Sequence, residues 1–238
     1  MNLAIIGYGK MGKMIENTAL KREHNIVLKL TSKDQWNAQT LKKYPIDVAI
    51  EFTHPDAVVE NIKKCFDAHI PIVVGTTGWY QHLNEIKKIC IEKNQSLLYA
   101  SNFSIGVNLF FKINEYVARL MSQYNTYKIQ MLEVHHTQKK DAPSGTAISI
   151  AEQILKYHSQ LEKWTLQKMD NHHLYIDVNR TDDEKGYHSV KYESNIDCIE
   201  LSHHAYSREG FALGAVLAAE FLKNKKGIFT MQDVLNIK

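Results

Sequence analysis

The densest chemistry in the sequence lies between Glu133 and Ala147, which reads Glu-Val-His-His-Thr-Gln-Lys-Lys-Asp-Ala-Pro-Ser-Gly-Thr-Ala. His135 and His136 stand side by side, Lys139 follows, and Pro143-Ser144 mark the start of a helix. Histidine and lysine can carry protons to and from a reacting group. Ser144, Gly145 and Thr146 would offer an anion the unpaired N–H groups and hydroxyls of a first helical turn. Together these types suit a small carboxylate ligand with acid–base chemistry beside it. The rival chemistry for histidine is metal binding. Adjacent pairs occur at 135/136, 172/173 and 203/204, none with the i, i+4 spacing of a helical zinc motif. Neighbours on a strand point to opposite faces, so a pair cannot easily share one ion, and no metal is expected.

A second constellation is Gly7-Tyr8-Gly9-Lys10-Met11-Gly12, which fits G-x-G-x-x-G. It follows an apolar run and opens a helical one, the context in which the motif binds a dinucleotide diphosphate at a helix N-terminus. An acid is expected about 20 residues later for the ribose hydroxyls. The second strand ends Leu30-Thr31-Ser32-Lys33-Asp34, with Thr31 or Ser32 at that position and Lys33 next. Without a carboxylate there, Lys33 could meet a 2′-phosphate, so the reading leans to NADPH over NADH. Phe52-Thr53, Gly75-Thr76-Thr77 and Ala100-Ser101-Asn102-Phe103 end neighbouring strands, where ligands of parallel sheets bind.

These loops need elements to position them. Apolar strands are predicted at 3–7, 26–30, 46–52, 70–74 and 96–100, alternating with amphipathic helices at 10–22, 56–68 and 80–94. That alternation means βαβ units and a parallel sheet covered on both faces. After about Asn102 the pattern changes. A long helix over 107–121 and one over 144–158 accompany strand-like runs at 127–134, 174–179, 188–193 and 196–203. An alanine-rich helix over 210–223 closes the pattern.

Composition narrows the class. The 238 residues are 44% hydrophobic and 23% charged, ordinary for a globular protein. A net charge of +3 is too small to imply nucleic-acid binding, and no apolar run is long enough for a membrane span. The first residues lack a basic n-region and a cleavage signature, so no signal peptide is expected. Cys65, Cys90 and Cys198 are scattered and odd in number, which points to buried small side chains in a reducing cytoplasm. Glycine is scarce, at 11 residues, and five of them fall in the 7–12 and 75–78 loops.

With these residues in view, the chain resembles the 4-hydroxy-tetrahydrodipicolinate (dihydrodipicolinate) reductases of the diaminopimelate route to lysine. The resemblance runs through Gly7–Gly12, Phe52–Pro55, Gly75–Trp79, Asn102–Asn108, His135–Thr146, Phe211–Ala215 and Gly227–Leu235. It implies that NAD(P)H delivers hydride to a cyclic imine dicarboxylate, with loss of water. It implies His135 as acid/base and Lys139 as proton donor. His136, Lys139, Ser144, Gly145 and Thr146 would hold substrate carboxylates, and Arg180 resembles a substrate-domain arginine. The 7–12 turn with Lys33, Phe52, Thr53, Gly75, Thr76, Thr77 and Ala100–Phe103 would hold the cofactor. The implied fold class is α/β. A Rossmann-like parallel-sheet domain spans 1–102, with 210–238 packing back on it. An α+β domain over 103–209, with a mixed open sheet, serves substrate binding and oligomerisation, and a homotetramer is expected. The sequence departs from the family at Thr137 and His54, where a basic residue is frequent, and in a shorter segment between Leu166 and Arg180. Two other readings compete. A non-catalytic nicotinamide-binding regulator would have lost His135 or Lys139, and another two-domain reductase would lack the Asp141–Thr146 string.

Overall fold

A computed structural model describes residues 1–168 and 172–237. Residues 169–171, within the segment expected to be short, lie outside the described residues. The chain divides into two compact units, Met1–Ile105 with Glu209–Lys238, and Gly106–Arg208.

The first unit alternates β1 (Asn2–Ile6), α1 (Lys10–Lys21), β2 (Asn25–Leu30), a short α2 (Ala38–Leu41), β3 (Val48–Glu51), α3 (Pro55–Asp67), β4 (Ile72–Val74), α4 (Leu83–Glu92) and β5 (Ser96–Tyr99). The end of the chain returns as α7 (Glu209–Leu222), β11 (Gly227–Phe229) and α8 (Met231–Leu235). The six strands pair in parallel in the order β11-β5-β4-β3-β1-β2. Successive strand side chains point to opposite faces, and the core divides accordingly. Ala4, Ala49, Ile72 and Leu97 pack with Val58, Ile62 and Phe66 of α3 and Ile86 of α4. Leu3, Val48, Val73 and Leu98 pack with Ile15 of α1 and Ala212, Ala215 and Ala219 of α7. Fully buried strands on a doubly covered sheet explain the unbroken apolar runs in the sequence. Phe103 is buried in the second of these clusters, which groups residues 103–105 with the first unit.

In the second unit, α5 (Ile105–Met121) begins at the boundary and β6 (Lys128–His135), α6 (Gly145–Leu155), β7 (Lys163–Thr165), β8 (His173–Arg180), β9 (Tyr187–Glu193) and β10 (Cys198–His204) follow. The five strands run β10-β9-β6-β8-β7, with β6, β8 and β7 mutually parallel and β9 antiparallel to both β6 and β10. One face buries Met131, Leu174, Ile176, Val190 and Tyr192 against α5 and α6. The other face is an open trough of about 710 Å³ lined by Lys128, Gln130, Leu132, Tyr175 and Lys191. Cys65 and Cys90 are buried, but Cys198 is exposed, because β10 is the edge strand.

Candidate active site

In the first unit, the turn after β1 is folded back on its own carbonyls. The N–H groups of Gly7 and Tyr8 both donate to Leu30 O, at 2.9 Å each, and the Gly9 N–H donates to Gly7 O at 2.8 Å. Gly7 has φ of +100°, and a Cβ there would lie 2.0 Å from Phe52 O, so no other residue fits. At Gly9 a Cβ would meet nothing within 4 Å, so the space in front of the first turn of α1 is open. An open helix N-terminus behind a glycine turn fits a dinucleotide diphosphate.

A cavity of about 450 Å³ continues from this turn, lined by Gly7, Tyr8, Gly9, Phe52, Thr53 and, from the loop after β2, Thr31, Ser32, Asp34 and Trp36. Thr76, which is buried and not among the lining residues, supports the wall by accepting the Thr53 N–H on its Oγ1 at 2.7 Å. Gly75 sits where a Cβ would strike the Phe52 ring, and Phe52 packs on Phe103 at 5.7 Å between ring centroids. Lys10 and Met11 open α1, Thr77 and Ser101 are exposed, Ala100 edges the core, and Asn102 accepts the Ser104 N–H at 2.8 Å. Lys33 is exposed in the turn and is not among the lining residues. A carboxylate does stand in this turn, three residues beyond Thr31, at Asp34. Asp34 Oδ2 accepts from both the N–H and the Oγ1 of Thr31, each at 2.7 Å. Those bonds hold the Asp34 carboxyl below its ordinary range. Beneath the cavity Glu51 is wholly buried, bonded by the Thr53 hydroxyl and by Asn61. Burial pushes its carboxyl up.

In the second unit, β6 presents Glu133 and His135 on one face, and register places Glu133 directly opposite His188 of β9. Glu133 is wholly buried. Its Oε2 accepts the Ser144 N–H at 2.8 Å and its Oε1 accepts from Arg180 Nη2 at 3.0 Å. Arg180 also donates to Asp141 O at 2.8 Å, which pins the loop between β6 and α6. Burial alone would raise the Glu133 carboxyl, but His135, Ser144 and Arg180 outweigh it and pull it down to about 2. Burial first, and then the neighbouring His135, drive His188 to about 3, so this ring is neutral. Ser144 Oγ lies 3.1 Å from His188 Nε2 and accepts the Ala147 N–H at 3.1 Å, which makes Ser144 the N-cap of α6. Gly145 opens α6 toward open space, and Thr146 follows half-buried in the first turn.

His135 is nearly buried, and a Cβ at Gly186 would come within 3.2 Å of its Nε2. The loop after β6 carries Lys139, whose ammonium donates to both Asp141 oxygens at 2.8 Å. Burial would raise the Asp141 carboxyl, but this pairing lowers it. His136 stands beside Arg208, with Arg208 Nη2 3.3 Å from His136 Nε2. Partial burial, then the charge of Arg208, lowers the His136 ring below its ordinary value. The structure thus brings His135, Lys139, Ser144 and Gly145 onto one stretch of the unit, around Glu133, Arg180 and His188. Sequence reasoning missed Glu133, Gly186, His188 and Arg208. Strand alternation ties Glu133 to His135, but His188 needs the β6–β9 register, and Arg208 and Gly186 carry no local motif.

Glu133, His135 and His188 have ligand atoms within 4.8 Å of one another, a spacing that a metal could use. Both Glu133 oxygens already accept hydrogen bonds, and Arg180 adds a full positive charge there. This donor set fits a hydrogen-bonded network and not a cation site.

Comparison with known proteins follows the same division. Family models described as dihydrodipicolinate reductase match residues 1–103 (N-terminus) and 106–235 (C-terminus). A 4-hydroxy-tetrahydrodipicolinate reductase from Christiangramia forsetii is 48% identical over 99% of this chain and 98% of its own. Another from Alkaliphilus oremlandii is 32% identical over 100% of this chain and 99% of its own. A dipicolinate-bound dihydrodipicolinate reductase from Paenisporosarcina sp. TG-14 shares the fold, with a TM-score of 0.81 over 100% of this chain and 99% of its own at 22% identity. A probable dehydrogenase from Thermotoga maritima shares it less closely, with a TM-score of 0.60 over 98% of this chain and 92% of its own at 7% identity.

Proposed function

The chain belongs to the dihydrodipicolinate reductase family, and from that premise we propose how its residues carry the reaction. The protein is an oxidoreductase that uses a nicotinamide dinucleotide to reduce 4-hydroxy-tetrahydrodipicolinate to tetrahydrodipicolinate, in lysine and diaminopimelate biosynthesis. The observation that carries the assignment of roles is the join of Lys139, His136 and Arg208 with the N-terminus of α6 in one unit. A dianionic substrate needs this combination, in which Lys139 and Arg208 are the cations, the helix end supplies N–H donors and His136 stands beside Arg208.

The Gly7–Gly12 turn and the first turn of α1 hold the diphosphate. Phe52, Thr53, Gly75, Thr76, Thr77 and residues 100–103 shape the nicotinamide side. When bound, the dinucleotide supplies a hydride, and every remaining task falls to the chain. One substrate carboxylate is taken at the first turn of α6 by the N–H groups of Gly145 and Thr146 and the Thr146 hydroxyl, while Ser144, whose N–H serves Glu133, caps the helix. His136 and Lys139 hold the carboxylates from the preceding loop. Lys139 releases Asp141 in exchange for a substrate carboxylate and delivers the proton that the reduced ring needs. His135, kept at one position by Gly186 and the neighbouring network, exchanges protons with the substrate, and water is the leaving product. A cytoplasmic setting is part of this reading, and the three scattered free cysteines support it. Among the described residues no helix is long and apolar enough to cross a membrane.

The open face of the second sheet is where copies would join as a homotetramer. The experiment that tests the function mixes the protein with reduced dinucleotide and freshly made 4-hydroxy-tetrahydrodipicolinate and follows the loss of reduced-nicotinamide absorbance. Turnover with this substrate is the expected result, and its absence would remove the reading.

A further inference from the structure

We infer that Glu133 is the positioning residue of His135: its carboxylate accepts the Nδ1–H of that ring and so leaves Nε2 as the atom that exchanges protons with the substrate. The inference rests on the role proposed above for His135 and names the atoms behind it. Both side chains leave β6 on the same face, two residues apart. Glu133 is wholly buried and His135 nearly so. His135 Nδ1 is shielded from solvent and makes no hydrogen bond among the described residues. The charged acceptor that faces it is Glu133 Oε1, at 3.8 Å. A shift of about 1 Å brings this pair to hydrogen-bond distance, and acid–base contacts are often that long before substrate binds. Nε2 lies at the other edge of the ring, toward Gly186, where a Cβ would stand 3.2 Å away.

The carboxylate is itself held in place. Oε1 accepts from Arg180 Nη2 at 3.0 Å, and Oε2 accepts the Ser144 N–H at 2.8 Å. A carboxylate oxygen can accept more than one hydrogen bond, so Oε1 serves Arg180 and His135 together. Arg180 keeps the anion tolerable away from water, where an unpaired carboxylate is costly. His188 is the other ring on this face, edge-on to His135 at 5.0 Å between centroids. It is neutral, so it adds no charge against a proton arriving on His135. Its Nε2 lies 3.1 Å from Ser144 Oγ and 3.8 Å from Glu133 Oε2, which leaves Oε1 to His135. A carboxylate on one imidazole nitrogen fixes the tautomer, orients the ring and stabilises the imidazolium that forms when the other nitrogen takes a proton. A buried Nδ1 with no acceptor would leave both tautomers open.

The test reads the tautomer directly, without turnover. The full-length protein, labelled with nitrogen-15 at histidine, is followed by two-bond proton–nitrogen correlation spectra at a pH where the ring signals are those of neutral imidazole. His135 is assigned as the signal missing from His135→Gln. The expected result is the Nδ1–H form in the wild type. The Nε2–H form, or the two forms in exchange, overturns the inference. Glu133→Gln, with folding checked by its Tm, should shift His135 toward the Nε2–H form. Its kcat should fall about tenfold or more, while the Kd for reduced dinucleotide stays unchanged. Glu133→Asp keeps the charge and withdraws it by one methylene, and should recover part of the Nδ1–H signal and part of kcat. A folded Glu133→Gln with wild-type tautomer and wild-type kcat overturns the inference, and where neither variant folds the wild-type spectrum decides it. A wild type that shows the Nδ1–H form but does not turn over 4-hydroxy-tetrahydrodipicolinate overturns the proposed function and not the pairing of Glu133 with His135.

Discussion

At Lys139 the ammonium is shared between the two oxygens of Asp141, both at 2.8 Å. A neutral side chain there removes both a carboxylate ligand and the proposed proton. Lys139→Ala is therefore expected to lower kcat by at least about 100-fold. The Kd for reduced dinucleotide should stay unchanged, because that ligand is held by the other unit. Fluorescence titration beside initial rates checks both parts, and a proportional loss of dinucleotide binding would count against the assignment. Gly186 makes a second residue-level case. A Cβ there would press to 3.2 Å from His135 Nε2, so Gly186→Ala should displace the imidazole. The expected signature is a loss of kcat with dinucleotide affinity unchanged, while the Tm falls by only a few degrees.

Between elements, Glu133 ties β6 to α6 through Ser144 and to β8 through Arg180. Replacing it by glutamine leaves Arg180 without its buried counter-charge, and the expected loss of stability is about 3 kcal/mol, measured by chemical denaturation. The same network sets a pH response. Both Glu133, near 2, and His188, near 3, have folded-state values below their unfolded ones. A depressed value contributes stability above the unfolded value and loses it as pH falls toward the folded one. The loss attributable to His188 begins below about 6.5, and that of Glu133 below about 4.3. Thermal unfolding followed from pH 7 to pH 4 should show Tm falling throughout. His188→Gln should flatten the upper part of that fall, and an unchanged slope would show that the ring does not titrate as described.

Elements also explain what could be read from the sequence. The buried strands β1, β3 and β4 announce themselves as apolar runs, and α1, α3 and α4 as amphipathic ones, because each side of the sheet is covered. β7 and β11 are as short as β4 but only partly buried, so they show neither an unbroken apolar run nor a period, and the short helices α2 and α8 carry too few residues for a period to register. The proposed site loops built on contiguous motifs, Gly7–Gly12 and His135–Thr146, could be singled out in the sequence because each leads directly into one helix. Residues recruited across strands could not. His188 reaches Glu133 only through the β6–β9 register, and Asp34 enters the wall of the first unit's cavity through a turn whose shape depends on its own bonds to Thr31.

For the molecule as a whole, the open face of the second sheet carries Leu132, Val134, Tyr175 and Tyr187 among polar side chains, with no covering layer among the described residues. A tetramer assembled through that face should appear in light scattering of the wild type, and Leu132→Glu should dissociate it. A monomeric wild type at micromolar concentration would refute the proposed assembly.

The first unit is also discontinuous, closed by α7 and β11 from the far end of the chain. A ribosome delivers the polypeptide in order, so five strands of that sheet emerge while one of their faces still lacks Ala212, Ala215, Val216 and Ala219. The second unit, uninterrupted from Gly106 to Arg208, is the first to be complete. During synthesis the nascent first unit is therefore an open, apolar surface that waits for a hundred-residue insertion to pass, roughly the interval in which holdase chaperones act and non-native pairing begins. Dinucleotide binding, on this ordering, is the last property the growing chain acquires.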